Sequence, residues 1–275
     1  MQPDSLLCAT CFLTLIAAVL PASCRAAHPF ITDDAGTQGA GNWQLELLGE
    51  RDRLDRVADP GSGPVQTSRR STVLNPVLTR GLLENLDLAL GLNYARYRTA
   101  EDGIVTVEAS GMSDSTLELK WRFYERDGVS FALKPGIQLP TGDEDRGLGT
   151  GRASWGVNLI ADYEAGPWAL FGNVAYFRQR FRLQSDRDAN REDLWRISGG
   201  ATYQISEHFW IAGEMGARTN SARNDVFLPG GTGRFAMLGA IYSPTDKIDL
   251  DVGLRKRLND AESTTTFLIG ATFRW

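Results

Sequence analysis

The chain has 275 residues, 42% of them hydrophobic and 23% charged, with a formal net charge of -5. That size allows one large domain or two modest ones, and the mild acidity argues against a nucleic-acid partner, which calls for a basic face. After the first 25 positions no window of about 18 apolar residues occurs, so no helix spans a membrane in the mature chain; a β-barrel escapes that test because each of its strands is apolar on one face only.

The chain opens with a continuous apolar run from Leu6 to Leu20. Small residues at Cys24 and Ala26 suit cleavage after Ala26, so residues 1–26 read as a signal peptide. The stretch before the run departs from the pattern, since it carries Asp4 and no Lys or Arg. Lipidation at Cys24 fits poorly, because Pro21 stands where such signals place leucine. All three cysteines (Cys8, Cys11 and Cys24) fall inside this segment. The mature chain then has no disulfide, no thiol nucleophile and no cysteine metal site, which suits an oxidising periplasm.

Residues 27–41 contain "HPFITDDAGTQGAG", with glycines at 36, 39 and 41, and read as extended or turn-rich. Asp33 and Asp34 either cap a turn or belong to a plug or gate inside the periplasmic mouth. Neither suggests a catalytic role.

From residue 42 the chain alternates with period two, the mark of strands with one apolar and one polar face. Strands are predicted over 42–53, 70–81, 86–94, 116–124, 130–139, 152–163, 167–183, 193–205, 208–218, 233–243, 247–257 and 265–275. In the last of these Phe267, Ile269, Ala271, Phe273 and Trp275 share one face. The strand at 70–81 is the poorest, because Pro76 in its middle normally demotes a strand to a sheet edge. No long helical period occurs. Connectors alternate: tight at 82–85, 125–128, 164–167, 206–208 and 243–247, long near 54–66, 99–111, 140–151, 184–192, 220–232 and 259–263.

About twelve strands, with short turns at one end and long loops at the other, describe an antiparallel up-and-down transmembrane β-barrel over 42–275, with periplasmic turns and extracellular loops. No open sheet edge survives in hydrocarbon, so the last strand must pair with the first. Trp43, Tyr94, Trp155, Tyr163, Trp168, Tyr176, Trp195 and Tyr203 form two interfacial belts in this reading. A soluble β-sandwich is the alternative. It explains poorly why the apolar faces recur on almost every strand and why the polar faces carry charges of both signs.

Those charges cannot face lipid, where Lys or Arg at the midplane costs about 2–4 kcal/mol. They are assigned to the lumen as channel-lining residues: Glu46, Glu50, Asp87, Glu118, Lys120, Arg122, Lys134, Asp162, Arg196, Glu214, Arg218, Asp249, Asp251, Arg255 and Arg257. They form either a salt-bridge lattice that fills the barrel or a polar path through it. About twelve strands enclose a lumen between the filled eight-stranded and the open sixteen-stranded cases, which suits a narrow or gated passage of weak ion selectivity.

Catalytic chemistry is scarce. The two histidines, His28 and His208, have no zinc-ligand spacing, and His208 opens a strand at the short-turn rim. The loop "TGDEDRGLGTGR" (141–152) has three adjacent carboxylates rather than alternating calcium ligands, and its glycines match no phosphate loop. It reads as a mobile external loop, with folding into the pore as the alternative. No cofactor or metal is expected.

"AHPFITDDAGTQGAGNWQLEL", "LPTGDEDRGLGTGRASWGVNLI" and the aromatic terminus resemble the outer-membrane barrels of the family named for the MetA pathway of phenol degradation. The resemblance covers nearly the whole mature chain. It implies a Gram-negative outer-membrane transporter, with aromatic compounds as the solute class the family name suggests. The final "FRW" is similar to the signal read by barrel-assembly machinery, through Phe273 and Trp275. The expectation is a passive outer-membrane channel for a small-molecule solute, surrounded by outer-membrane lipids. The alternative is a non-transporting barrel, structural or lipid-modifying.

Overall fold

In a computed structural model the described residues are 29–58, 63–223, 231–260 and 265–275. The signal peptide expected over 1–26, its three cysteines and His28 lie outside them.

The described residues carry fourteen β segments: β1 (Trp43–Ala58), β2 (Val65–Leu83), β3 (Leu86–Gly91), β4 (Tyr94–Glu101), β5 (Ile104–Met112), β6 (Ser115–Arg126), β7 (Val129–Leu139), β8 (Ser154–Ala165), β9 (Trp168–Arg178), β10 (Asp193–Ser206), β11 (Phe209–Thr219), β12 (Thr232–Thr245), β13 (Ile248–Arg257) and β14 (Thr265–Arg274). All pair antiparallel in one sheet. β3 and β4 pair with β2 at successive levels and are halves of one strand, interrupted at Leu92 and Asn93. β5 and β6 are likewise halves of one strand, interrupted at Ser113 and Asp114. The result is a closed twelve-stranded barrel.

Closure is continuous. β14 pairs with β1 from Gln44↔Arg274 to Arg53↔Thr265. Trp43 and Trp275 exchange backbone hydrogen bonds of 2.9 and 3.1 Å beyond that ladder. The edge groups that hydrocarbon would leave unpaired are thereby satisfied.

Three details differ from the sequence reading. Pro76 lies in β2, which has neighbours on both sides rather than forming an edge. Its missing N–H faces the interruption between β3 and β4, where the ladder is already broken. The Pro76 carbonyl still accepts from Leu92 N at 2.9 Å, and Asn75 Nδ2 donates to Asn93 Oδ1 at 2.6 Å. The segment 99–111 is a β-hairpin rather than a long loop, because β4 and β5 pair from Tyr94↔Met112 to Glu101↔Ile104. One short helix, α1 (Gln184–Ala189), lies in the connector after β9.

The loop at 140–151 turns inward. Asp114 accepts from Gly142 N at 3.0 Å, Thr150 N at 2.9 Å and Thr150 Oγ1 at 2.8 Å. Those bonds seat Leu148, which is buried against Ala95 and Ala109 on the inner face of β4 and β5.

The alternation sorts the side chains. Leu74, Leu90, Val174, Ile211, Leu238, Val252 and Ile269 are exposed on the outer wall, where lipid replaces water. Trp155 packs edge-to-face on Tyr176, and Tyr176 at a tilt on Trp195, at the long-loop end, with centroids 5.5 and 4.7 Å apart. Trp168 and Tyr203 pack at a tilt at the short-turn end, 4.6 Å apart. These are two aromatic girdles.

Candidate functional site: the lumen and the strap across it

Residues 29–42 run inside the barrel. The strap leaves the wall just before β1, where Gly41 N donates to Gly81 O at 2.9 Å and Gly81 N to Asn42 O at 3.0 Å. Gly39 has φ +77° there, a conformation that L side chains rarely adopt. Gly81 has no room for a Cβ, which would meet the Gly39 backbone. The strap then crosses from the β2–β3 wall to the β12–β13 wall. Gln38 N donates to Asp87 Oδ2 at 3.0 Å, and Thr37 Oγ1 to the Glu84 carbonyl at 2.8 Å. Ala35 N donates to Asp162. Thr32 N and Ile31 N donate to the Glu214 carboxylate at 2.6 and 3.1 Å. Pro29 ends against Gly239 and Gly253.

Asp33 is the centre of this arrangement. Its carboxylate takes Lys134 Nζ at 2.7 Å and Lys120 Nζ at 2.9 Å, from neighbouring strands β7 and β6. Its backbone is gripped as well: Asp33 N donates to Asn173 Oδ1, and Asn173 Nδ2 to Asp33 O, both at 2.8 Å. Burial raises the Asp33 carboxyl pKa, but the fields and hydrogen bonds of Lys120 and Lys134 outweigh burial and hold it well below the usual carboxylate range. Asp34 lies 3.7 Å from Lys120.

An apolar anchor completes the strap. Phe30 packs on Phe171 at 5.8 Å and belongs to a buried cluster with Ala212, Met237 and Leu268. These lumen-facing apolar residues were not expected, since the inward faces were read as polar. Their signal in the sequence is weak: Phe171 and Met237 sit in strands with apolar residues at both parities, such as Phe177 and Phe235, and Leu268 is a single apolar residue at inward parity.

The structure places the residues assigned to the lumen from the sequence in several settings. Glu46, Asp87, Glu118, Lys120, Arg122, Lys134 and Arg196 line one cavity of about 890 Å³ together with the strap. Asp162 and Glu214 receive the strap. Glu50 pairs with Arg255 at 3.1 Å. Asp249 pairs with Arg274 at 2.7 Å. Asp251 is buried beneath Gly270 on the neighbouring strand. Arg218 lies over the Phe235 ring, 5.8 Å from its centroid. Arg257 stands at the long-loop rim, 4.0 Å from Asp260. Sequence reasoning missed Thr32, Asn173, Glu84 and Arg274, which are uncharged or lie in a turn or at the chain end.

The cavity passes alongside the strap. Glu125, Gly128, Glu164 and Asp246 line it at the short-turn rim, and Gln138, Ser154, Gln179 and Leu194 at the far end. Among the described residues Arg196 forms no ion pair, and its guanidinium lies over the Phe177 ring, 5.5 Å from the centroid. No group of three or more His, Cys, Asp or Glu that could hold a metal occurs among the described residues.

Residues 32–275 match the model of the family described as "Putative MetA-pathway of phenol degradation". The chain belongs to that family. Among solved structures it resembles the COG4313 outer membrane channel from Pseudomonas putida F1, with a TM-score of 0.64, 17% identity, and coverage of 88% of this chain and 98% of that one. The NanC porin follows with a TM-score of 0.51 and 14% identity over 82% and 98% of the two chains. The translocator domain of the autotransporter NalP from Neisseria meningitidis has a TM-score of 0.50 and 13% identity over 88% and 91%. No curated protein matches. The barrel, its girdles and its family place this member in the bacterial outer membrane.

Proposed function

We propose that this family member is a passive outer-membrane channel for small organic solutes, aromatic compounds among them, and that the strap of residues 29–42 constricts it. The observation that carries this reading is the cavity of about 890 Å³ that reaches from the short-turn rim to the long-loop end beside the strap. That volume falls in the range of about 300–1,000 Å³ that holds small ligands. Phe30, Phe177 and Leu194 give it apolar surface, and Arg196 gives it a cation without an ion pair among the described residues. Asp33 and Asp34 act as the gate, since Asp33 ties the strap to Lys120 and Lys134.

Transport rather than catalysis is our reading. It is supported by the path itself and by the position of His208 in the short turn between β10 and β11. Phe273 and Trp275, in and just beyond the closing strand, serve assembly-machine recognition in this account. Swelling of proteoliposomes tests the function. Vesicles carrying the barrel should swell in isosmotic substituted benzoates and not in a disaccharide. Swelling no faster than in protein-free vesicles, for every aromatic acid tried, would contradict it.

A further inference from the structure

The outer wall carries a feature that transport does not use. β1, β2 and β4 are neighbours, and their register sets Arg53 opposite Arg70 and Arg70 opposite Arg98. One step nearer the membrane, Arg51 and Arg96 flank Thr72 on the same three strands. All five arginines share the parity of Leu74 and Tyr94, which are exposed on the lipid-facing wall. Arg51, Arg53, Arg96 and Arg98 are exposed.

Like charges directly opposite one another on neighbouring strands are destabilising. Two acids relieve part of this. Asp55 pairs with Arg53 and Arg70, each at 2.8 Å, and Glu108 with Arg96 at 3.1 Å. Five arginines against two carboxylates leave an excess of three positive charges. Arg98 stands directly opposite Glu108 in the β4–β5 register, and among the described residues Arg51 has no acidic partner.

The height of the patch identifies what neutralises it. Arg53 lies ten residues along β1 from Trp43, which stands at the short-turn end. At about 3.3 Å per residue and a tilt near 40°, that is roughly 25 Å, the height of the apolar band of an outer-membrane barrel. The next outward row below the arginines runs through Tyr94, Leu74, Gly49 and Ile269. Arg51, eight residues along β1, stands at roughly 20 Å by the same arithmetic, so the lower arginine row lies just inside the outer edge of the apolar band and the upper row at that edge. A ligand there presents phosphates at the arginines and acyl chains along the apolar row.

We propose that this face is a binding site for a phosphorylated glycolipid of the outer leaflet, of the lipid A class. Its phosphates bridge the arginine rows, and its chains lie on the wall beneath them. The site orients the barrel against its leaflet and requires no motion of the strap.

Native mass spectrometry of the detergent-solubilised, folded barrel tests this, with diphosphoryl lipid A, fully dephosphorylated lipid A and inorganic phosphate as probes. Wild type should hold diphosphoryl lipid A in preference to the dephosphorylated form. The double variant R51Q/R98Q should bind it about thirtyfold more weakly, as two interfacial arginines imply. R126Q, at the exposed short-turn end of β6, should bind as wild type does. Equal retention of the two lipids by wild type, or unchanged affinity in R51Q/R98Q, would overturn the proposal. So would displacement of the lipid by inorganic phosphate at equal concentration. If R51Q/R98Q lost its heat-modifiable mobility and so proved unfolded, the two-lipid comparison on wild type would still decide.

Discussion

The wall and the strap are held by different physics. The wall is a backbone ladder closed from β14 to β1, and its side chains need only the right parity. The strap has no ladder with the lumen wall. Carboxylates, lysines, one asparagine and one phenylalanine of the wall hold it, supplied by several strands, with Phe171 and Asn173 both from β9. A barrel can therefore lose its strap contacts one at a time while its wall stays intact.

The largest effect that would sharpen this contrast comes from Phe30→Ala. Phe30 is buried against Phe171 and the Met237–Leu268 cluster, and such truncations cost about 3–5 kcal/mol. The loss should fall on docking of the strap. Hydrogen exchange at residues 30–38 should quicken greatly while heat-modifiable migration of the barrel is unchanged; unaltered exchange would break the contrast.

Ile269→Arg attacks the wall instead. Ile269 faces outward near the middle of β14, beside the buried, inward Leu268. Ile269 lies six residues along the closing strand from Trp275, roughly 15 Å up the apolar band and so near its middle, where an arginine on the lipid face should destabilise the whole barrel by about 2–4 kcal/mol. Equilibrium unfolding from lipid vesicles reads this, and the strap should not loosen ahead of the wall.

Asp33→Asn has a smaller effect. Breaking a well-buried ion pair costs several kcal/mol, but the Asp33 side chain keeps 22% exposure, and Glu118 remains 3.0 Å from Lys134. The expected cost is about 1–2 kcal/mol in strap docking. It should appear in bilayer recordings as longer or more frequent openings.

The smallest effect is that of pH. The Asp33 carboxyl pKa is depressed in the folded state. Its contribution is therefore complete above the ordinary aspartate value of about 3.9 and is lost only as pH falls through the lower folded value. Asp33 itself should therefore add no change between pH 7 and about 5, and D33N should show the same pH dependence of conductance there as wild type. Opening in that range would assign the latch to a different group.

The same contrast explains what could be read in advance. Period-two alternation revealed the wall, its closure and the inward charges, because lipid and water sort side chains residue by residue. Pro76 misled, since the interruption at Leu92 and Asn93 that accommodates it belongs to another strand. The β4–β5 hairpin read as loop because its alternation is poor outside the membrane, where no solvent boundary enforces it. Asp33 and Asp34 could be named as plug candidates. Their partners could not, because Lys120, Lys134 and Asn173 reach Asp33 across separations of 87, 101 and 140 residues, which no local pattern encodes.

Single-channel recording in planar bilayers, comparing the barrel that keeps residues 29–40 with one lacking them, tests the central claim most directly. The account predicts a small conductance for the intact barrel and one severalfold larger, without change in the folded wall, once the strap is removed. Equal conductance in the two, or none in either, would contradict it.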